Sequence, residues 1–125
     1  MAQPLAGKTI LVAEDDYFQA ADLKRALIEA GATVVGPVAD VDGAMALVAA
    51  GRLDAAVLDV NLSSTLSYPL ADRLAADAIP YVFLTGYDVW ALPEAYRSVP
   101  RLSKPCLMDS VVVMVGRLMT GAEAC

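Results

Sequence analysis

Five short apolar stretches recur along the chain at nearly even intervals. They begin near Thr9, Thr33, Ala55, Tyr81 and Arg101, so that 24, 22, 26 and 20 residues separate one start from the next. Each interval is long enough for a strand, a crossover helix and two short loops. This alternation predicts a parallel sheet that is covered by helices on both faces and has right-handed crossovers.

Helical periodicity fills most of the intervals between the predicted strands. In the first interval the apolar residues fall on one side of a helix that Asp16 is placed to cap. Asp40 is placed to cap a second helix, and Pro69 suits the first turn of a third. A last helix is predicted from about Met108 to Met119.

The fold class that this pattern predicts is α/β, a doubly wound five-stranded parallel sheet in the order 2-1-3-4-5. The fourth helix is expected to be short or degenerate, because residues 86–100 include two prolines and favour a helix only near Glu94, Ala95 and Tyr96. Residues 62–67 are predicted to form a polar loop.

Length and composition indicate one compact domain. The 125 residues, 58% of them apolar, suffice for a single domain over 1–125 with one core, and we expect no effector domain. No apolar run approaches the roughly 18 residues of a membrane span. Lys8 and the acidic residues 14–16 interrupt any signal-peptide pattern. We therefore expect a cytoplasmic protein without a membrane partner.

Charge and residue types exclude several classes of function. A net charge of −6 argues against nucleic acid as a direct partner. The chain has no histidine, which excludes histidine-based zinc sites, Ser-His or Cys-His catalysis, and a phosphohistidine relay within the chain. Cys106 and Cys125 have neither CxxC spacing nor a disulfide framework and are expected to be spectators.

The predicted topology gathers polar side chains at one rim of the sheet. Ligands of open parallel sheets bind outside the carboxyl ends of the strands. The residues at these ends are Glu14, Asp15, Asp16, Asp59, Thr85 and Lys104. Clustered carboxylates repel one another, and a hard divalent cation such as Mg²⁺ is the usual remedy. Asp15, Asp59 and a backbone carbonyl near Asn61 would suffice as its protein ligands.

A hydroxyl, a lysine and a metal directed at one carboxylate make a phosphoryl-binding constellation. Thr85 offers the hydroxyl, Lys104 a compact positive charge, and Asp59 a carboxylate that can itself become an aspartyl phosphate. Each residue also has an ordinary alternative, such as β-propensity for Thr85 or a surface charge for Lys104. Their joint occurrence at successive strand ends favours the functional interpretation.

Four segments resemble the receiver domain of bacterial response regulators, and together the resemblance covers essentially the whole chain. They are LVAEDDYF (11–18), AAVLDVNL (55–62), VFLTGY (82–87) and LSKPC (102–106). The stretch PYVFLTGY (80–87) further resembles a subgroup of stand-alone receivers with an F-A-T-G-Y motif.

The resemblance implies how an aspartyl phosphate and Mg²⁺ would be held. Asp59 is similar to the phosphoacceptor of receiver domains. Glu14 and Asp15 are similar to the acidic pair that binds Mg²⁺, with Asp15 as the direct ligand. Asn61 is similar to the residue that lends a backbone carbonyl to the metal.

The remaining matches concern phosphate binding and the activation switch. Thr85 resembles the switch hydroxyl, and Lys104 the phosphate-binding lysine, which is usually followed by a cis proline, here Pro105. Receivers often carry an aromatic switch residue three positions before the lysine, where this chain has Arg101. We therefore expect the switch to use the loop after the fourth strand, with Tyr87 as its aromatic residue. The alternative is that Tyr87 only packs on a neighbouring helix.

The function that this resemblance implies is that of a single-domain response regulator rather than an enzyme that turns over a substrate. A sensor histidine kinase or a phosphotransfer protein would phosphorylate Asp59, and a downstream protein would bind the changed surface. The domain would assist its own phosphorylation and dephosphorylation. A phosphate sink, a relay intermediate and a pseudo-receiver are alternatives. An aspartyl-phosphate phosphatase normally needs a second acid where Asn61 stands.

Overall fold

A computed structural model of the chain describes residues 3–86, 92–104 and 106–120. The strands are β1 (Thr9–Ala13), β2 (Thr33–Val38), β3 (Ala55–Asp59), β4 (Asn61–Leu62), β5 (Thr65–Leu66), β6 (Tyr81–Thr85) and β7 (Arg101–Ser103). The α-helices are α1 (Tyr17–Glu29), α2 (Val41–Ala50), α3 (Tyr68–Ala76) and α4 (Met108–Thr120). A 3₁₀ helix spans Glu94–Tyr96. None of the helices in these ranges is long and apolar enough to cross a membrane.

The main sheet is parallel, and its strand order is β2-β1-β3-β6-β7. This confirms the predicted order 2-1-3-4-5, because β6 and β7 are the fourth and fifth strands of that sheet. All five residues of the central strand β3 are buried. One face packs against residues of α1 and α4, namely Leu23, Leu27, Val111 and Val115. The other face packs against residues of α2 and α3, namely Ala44, Val48, Leu70 and Leu74.

The helix starts follow the sequence. The Gln19 N–H donates to Asp16 Oδ1 at 2.9 Å, and the Gly43 N–H donates to Asp40 Oδ1 at 2.6 Å, so both predicted caps are confirmed. Each bond satisfies a backbone donor that lacks a partner within the helix. Pro69 lies in the first turn of α3, as expected.

The prediction of a polar loop over residues 62–67 is wrong. Strands β4 and β5 pair antiparallel, with Asn61 opposite Leu66, and they form a small hairpin between β3 and α3. Ser63 and Ser64 turn the chain with φ of 50° and 67°. Two-residue hairpin turns with positive φ usually carry Asn-Gly or Asp-Gly, so the Ser-Ser pair gave no hairpin signal. The flanking Leu62 is fully buried.

The connection from β6 to β7 contains only a 3₁₀ turn within residues 92–100, which agrees with the expected short fourth helix. The Tyr96 ring stacks on Tyr68 with centroids 4.5 Å apart. Its hydroxyl donates to Asp72 Oδ1 at 2.7 Å. Arg97 Nε donates to the Leu92 carbonyl at 2.9 Å, so the turn is attached both to α3 and to itself.

Because of the Tyr96 contact, we expect the free energy of unfolding to depend on pH in the alkaline range. Its hydrogen bond to Asp72, with burial second, raises the pKa of Tyr96 to about 12. An unfolded tyrosine has a pKa of about 10, so the unfolded chain loses the proton first and stability falls between these two values. We expect Tyr96→Phe to lack this part of the loss, as measured by urea unfolding at a series of pH values. Tyr17→Phe, at a 78% exposed tyrosine, is the control. Identical pH profiles for the wild type and Tyr96→Phe would contradict the prediction.

Gly36 allows β2 to follow its path along the edge of the sheet. Its φ is +96°, and an added Cβ would lie 2.8 Å from the Val12 carbonyl oxygen and 2.9 Å from the Val38 nitrogen. The following Pro37 lacks a backbone donor, which an edge strand tolerates.

Replacing this glycine with alanine combines backbone strain with a clash against backbone atoms. We expect Gly36→Ala to lower the free energy of unfolding by about 1–3 kcal/mol, measured by urea denaturation. Gly51→Ala is the matched control, because Gly51 has an extended backbone with a φ of −152° and open space around the added atom. That variant should be neutral or gain up to about 1 kcal/mol. Equal effects of the two variants would refute the role of Gly36.

Candidate functional site

The parallel sheet brings four of the predicted residues to one rim. Glu14 directly follows β1, Asp59 ends β3, Thr85 ends β6 and Lys104 directly follows β7. Asp59 pairs in register with Leu84, the residue before Thr85. The Lys104 N–H donates to the Thr85 carbonyl at 2.8 Å, which extends the pairing of β6 with β7 by one residue.

Lys104 binds two carboxylates at once. Its Nζ donates to Asp59 Oδ2 at 2.7 Å and to Glu14 Oε1 at 2.9 Å. The Glu14 side chain is 1% exposed and that of Asp59 12%, whereas that of Lys104 is 23% exposed. Hydrogen bonds between ionised groups are stronger than those between neutral groups. Partial burial also reduces the screening of the two Lys104 bonds by solvent. The lysine thus joins the ends of β1, β3 and β7.

The buried carboxylates perturb the ionisation of the site. Burial raises the pKa of Glu14 to about 7, although hydrogen bonds from Lys104 and from the Asp16 N–H oppose the shift. The negative charge of Asp59 is a smaller contribution to the same rise. Burial alone would lower the pKa of Lys104, but its hydrogen bonds to Asp59 and Glu14 outweigh that effect and raise it. The raised pKa of Lys104 thus reflects the two carboxylates around it, whereas that of Glu14 reflects chiefly its burial.

Three carboxylates converge beside the lysine. Glu14, Asp15 and Asp59 each offer one oxygen, and these oxygens lie within 4.8 Å of one another. Hard oxygen donors are the ligands that Mg²⁺ prefers, so the donor set fits this ion. The Asn61 N–H donates to Asp59 Oδ1 at 3.3 Å, which places Asn61 next to the cluster.

The remaining predicted residues separate into three cases. Thr85 is 1% exposed at the end of β6, which pairs with β7, the strand directly before Lys104. Asp16 caps α1, as its ordinary alternative predicted, and its N–H donates to Glu14 Oε2 at 3.1 Å. Tyr87 and Pro105 lie outside the described residues.

Sequence reasoning missed two serines that contact the site, one at the tip of the β4–β5 hairpin and one directly after it. The Ser63 N–H donates to Asp15 Oδ2 at 2.9 Å. Ser67 is fully buried, and its Oγ donates to the Asp59 carbonyl at 2.7 Å. Ser67 precedes Tyr68-Pro69 and is a typical helix cap by sequence, but its side chain makes no capping bond to α3. The position of Ser67 directly before α3 was the signal available in the sequence, and it predicted a helix cap rather than a contact with Asp59.

Comparison with solved structures decides the family. SdrG from Sphingomonas melonis Fr1 is 40% identical to this chain, and the match covers 93% of this chain and 98% of SdrG with a TM-score of 0.79. The chain belongs to the response-regulator receiver domains. The BeF3-activated conformation of SdrG matches at 38% identity over 94% of this receiver and 98% of that chain, with a TM-score of 0.75.

A second receiver is similar at lower identity. The signal receiver domain of a signal transduction histidine kinase from Syntrophus aciditrophicus is 26% identical over 95% of each chain, with a TM-score of 0.77. No protein-family model matches this receiver, and no curated protein matches it.

The acidic cluster should lower stability when no cation is bound. Two like charges at this separation repel by about 1 kcal/mol even at the dielectric constant of water. We expect Asp15→Asn to raise the free energy of unfolding by about 1 kcal/mol in buffer with a chelator. The same variant should lose most of the stabilisation that we expect Mg²⁺ to give the wild type, measured by thermal unfolding with and without Mg²⁺.

Asp22→Asn is the control for this experiment. It removes the same charge from an exposed position in α1, where Asp22 pairs with Arg25 at 2.8 Å. Such a surface pair contributes about 0–1 kcal/mol, so this variant should be neutral or slightly less stable and should respond to Mg²⁺ like the wild type. A stability gain of equal size in both variants would show that net charge, and not the cluster, is responsible.

Proposed function

We propose that this receiver accepts a phosphoryl group on Asp59 from a histidine kinase or a phosphotransfer protein, with Mg²⁺ bound beside it. The observation that supports this most directly is the position of the Asp59 carboxylate. It lies at the carboxyl end of the central strand, hydrogen-bonded to Lys104 and adjacent to two further acids, Glu14 and Asp15. Receiver relatives support a signalling role in general, and the phosphoacceptor and its partners are our assignment.

Glu14, Asp15, Asp59 and the backbone carbonyl of Asn61 would hold the metal ion. Asp15 would be a direct ligand of the ion, and Glu14 would contribute its buried carboxylate. When bound, Mg²⁺ supplies positive charge to the phosphoryl oxygens and lowers the repulsion between them and the carboxylates.

In the proposed transfer, Asp59, Lys104 and Thr85 contact the phosphoryl group. A carboxylate oxygen of Asp59 attacks the phosphorus of a phosphohistidine in line, the new O–P bond forms, and the N–P bond to the donor imidazole breaks. Lys104 Nζ, which holds Asp59 Oδ2 in the free protein, then donates to a phosphoryl oxygen. The Thr85 hydroxyl donates to another. Attack of water on the acyl phosphate returns the aspartate and releases phosphate, which ends the signal.

The readout is a protein contact that involves the loop after β6. Arg101 occupies the position where receivers often carry an aromatic switch residue, and its Nη1 donates to the Arg97 carbonyl at 3.0 Å. A guanidinium held by backbone in this way supports a switch that does not depend on residue 101. Tyr87, the aromatic residue expected to take that role, remains part of the proposal.

Phosphorylation of Asp59 can be tested without knowledge of the kinase. We expect the wild type to gain one phosphate in intact mass after incubation with acetyl phosphate and Mg²⁺, and we expect Asp59→Asn to gain none. Asp54→Asn is the matched control at the opposite end of β3, where Asp54 Oδ2 accepts the Thr9 N–H at 2.8 Å. It should gain phosphate like the wild type. A stoichiometric adduct on Asp59→Asn, or none on the wild type, would overturn the assignment.

A further inference from the structure

The β4–β5 hairpin and Ser67, the residue directly after it, contact the site at three points. The Asn61 N–H donates to Asp59 Oδ1 at 3.3 Å, and the Ser67 hydroxyl donates to the Asp59 carbonyl at 2.7 Å. At the tip of the hairpin the Ser63 N–H donates to Asp15 Oδ2 at 2.9 Å. The last bond joins segments that are 48 residues apart in sequence. The hairpin is therefore in contact with two of the three carboxylates of the cluster.

We propose that Ser63 is a positioning residue of the metal site. Its backbone N–H occupies one oxygen of Asp15 and so fixes the orientation of that carboxylate beside Glu14 and Asp59. Groups that hydrogen-bond to a metal ligand restrict its rotation and make it a better ligand. This inference rests on the proposed function, because it assumes that Asp15 binds Mg²⁺.

The Ser63 side chain explains how this backbone donor is held in place. Ser63 has a φ of 50°, in the left-handed region that residues with a Cβ seldom adopt. Its hydroxyl donates to the Ala39 carbonyl at 2.7 Å, which ties the hairpin tip to the loop between β2 and α2. The hydroxyl thus offsets the strain of the backbone conformation that directs the N–H at Asp15.

Ser64 separates this role from simple closure of the hairpin. It has a φ of 67° and is exposed, so it shares the turn and the strained backbone with Ser63. The hydrogen bond to Asp15 comes from Ser63. Ser63→Ala and Ser64→Ala therefore make the same chemical change at adjacent left-handed residues, and the first removes the bond to the Ala39 carbonyl that helps to hold the N–H donating to Asp15.

The test measures Mg²⁺ affinity by isothermal titration calorimetry, with no phosphodonor present. We expect Ser63→Ala to weaken Mg²⁺ binding about 10-fold, on the scale of losses from supporting groups of metal ligands, and Ser64→Ala to bind like the wild type. Unfolding in urea without Mg²⁺ reports the structural cost of each variant. If Ser63→Ala does not fold, Ser63→Gly removes the same hydroxyl and relieves the backbone strain.

The outcomes distinguish this inference from the proposed function. Unchanged Mg²⁺ affinity in folded Ser63→Ala and Ser63→Gly, with normal binding by the wild type, would overturn the role of Ser63 and leave the phosphoacceptor site intact. Equal weakening by Ser63→Ala and Ser64→Ala would also overturn it, because general disturbance of the hairpin would then be responsible. A wild type that binds no Mg²⁺ would overturn both.

Discussion

Lys104 holds the functional rim together through its two hydrogen bonds to Asp59 and Glu14. The three residues are brought together from 45 and 90 positions apart in the sequence. A nearly inaccessible glutamate beside an aspartate is unfavourable unless a cation compensates for the lost hydration. The lysine supplies one positive charge to a group of three acids, so the site keeps an excess of negative charge that a divalent cation would neutralise.

The fold makes this arrangement possible because parallel strands end at the same edge. Helices on both faces bury β3 completely, and this packing fixes the position of Asp59 at the end of the strand. The in-register pairing of β3 with β6, and of β6 with β7, then determines where Thr85 and Lys104 lie. Packing energy far from the rim thus sets the positions of the polar groups at the rim. This is the usual division between a rigid scaffold and the loops that carry function.

Much of this could be predicted from the sequence. Apolar runs such as 55–58 identify buried strands, and the strand-helix rhythm gives the order of the sheet. Once that order is assumed, Glu14, Asp59 and Lys104 must meet, because topology alone places strand ends side by side. The caps at Asp16 and Asp40 were also predictable, because a short polar side chain before a helical pattern has one dominant use.

The contacts that were not predicted depend on the direction of side chains and on the sign of the backbone angle φ. Ser63 and Ser64 adopt positive φ at turn positions that usually carry glycine or asparagine. Ser67 stands where a helix cap is expected, yet its hydroxyl donates to the carbonyl of Asp59. The bond from Tyr96 to Asp72 crosses from the 3₁₀ turn to α3, and no local pattern indicates it. Each depends on a single tertiary contact rather than on a periodic pattern.

The central claim is that the carboxylate at the end of the central strand carries the phosphoryl group. Borohydride reduction tests it most directly, because an acyl phosphate is reduced to an alcohol while free carboxylates are left unchanged. After treatment with acetyl phosphate and Mg²⁺, followed by borohydride and peptide mass spectrometry, we predict homoserine in place of Asp59 and unmodified residues at Glu14 and Asp15. Reduction at either of those two acids, with Asp59 unchanged, would contradict the account.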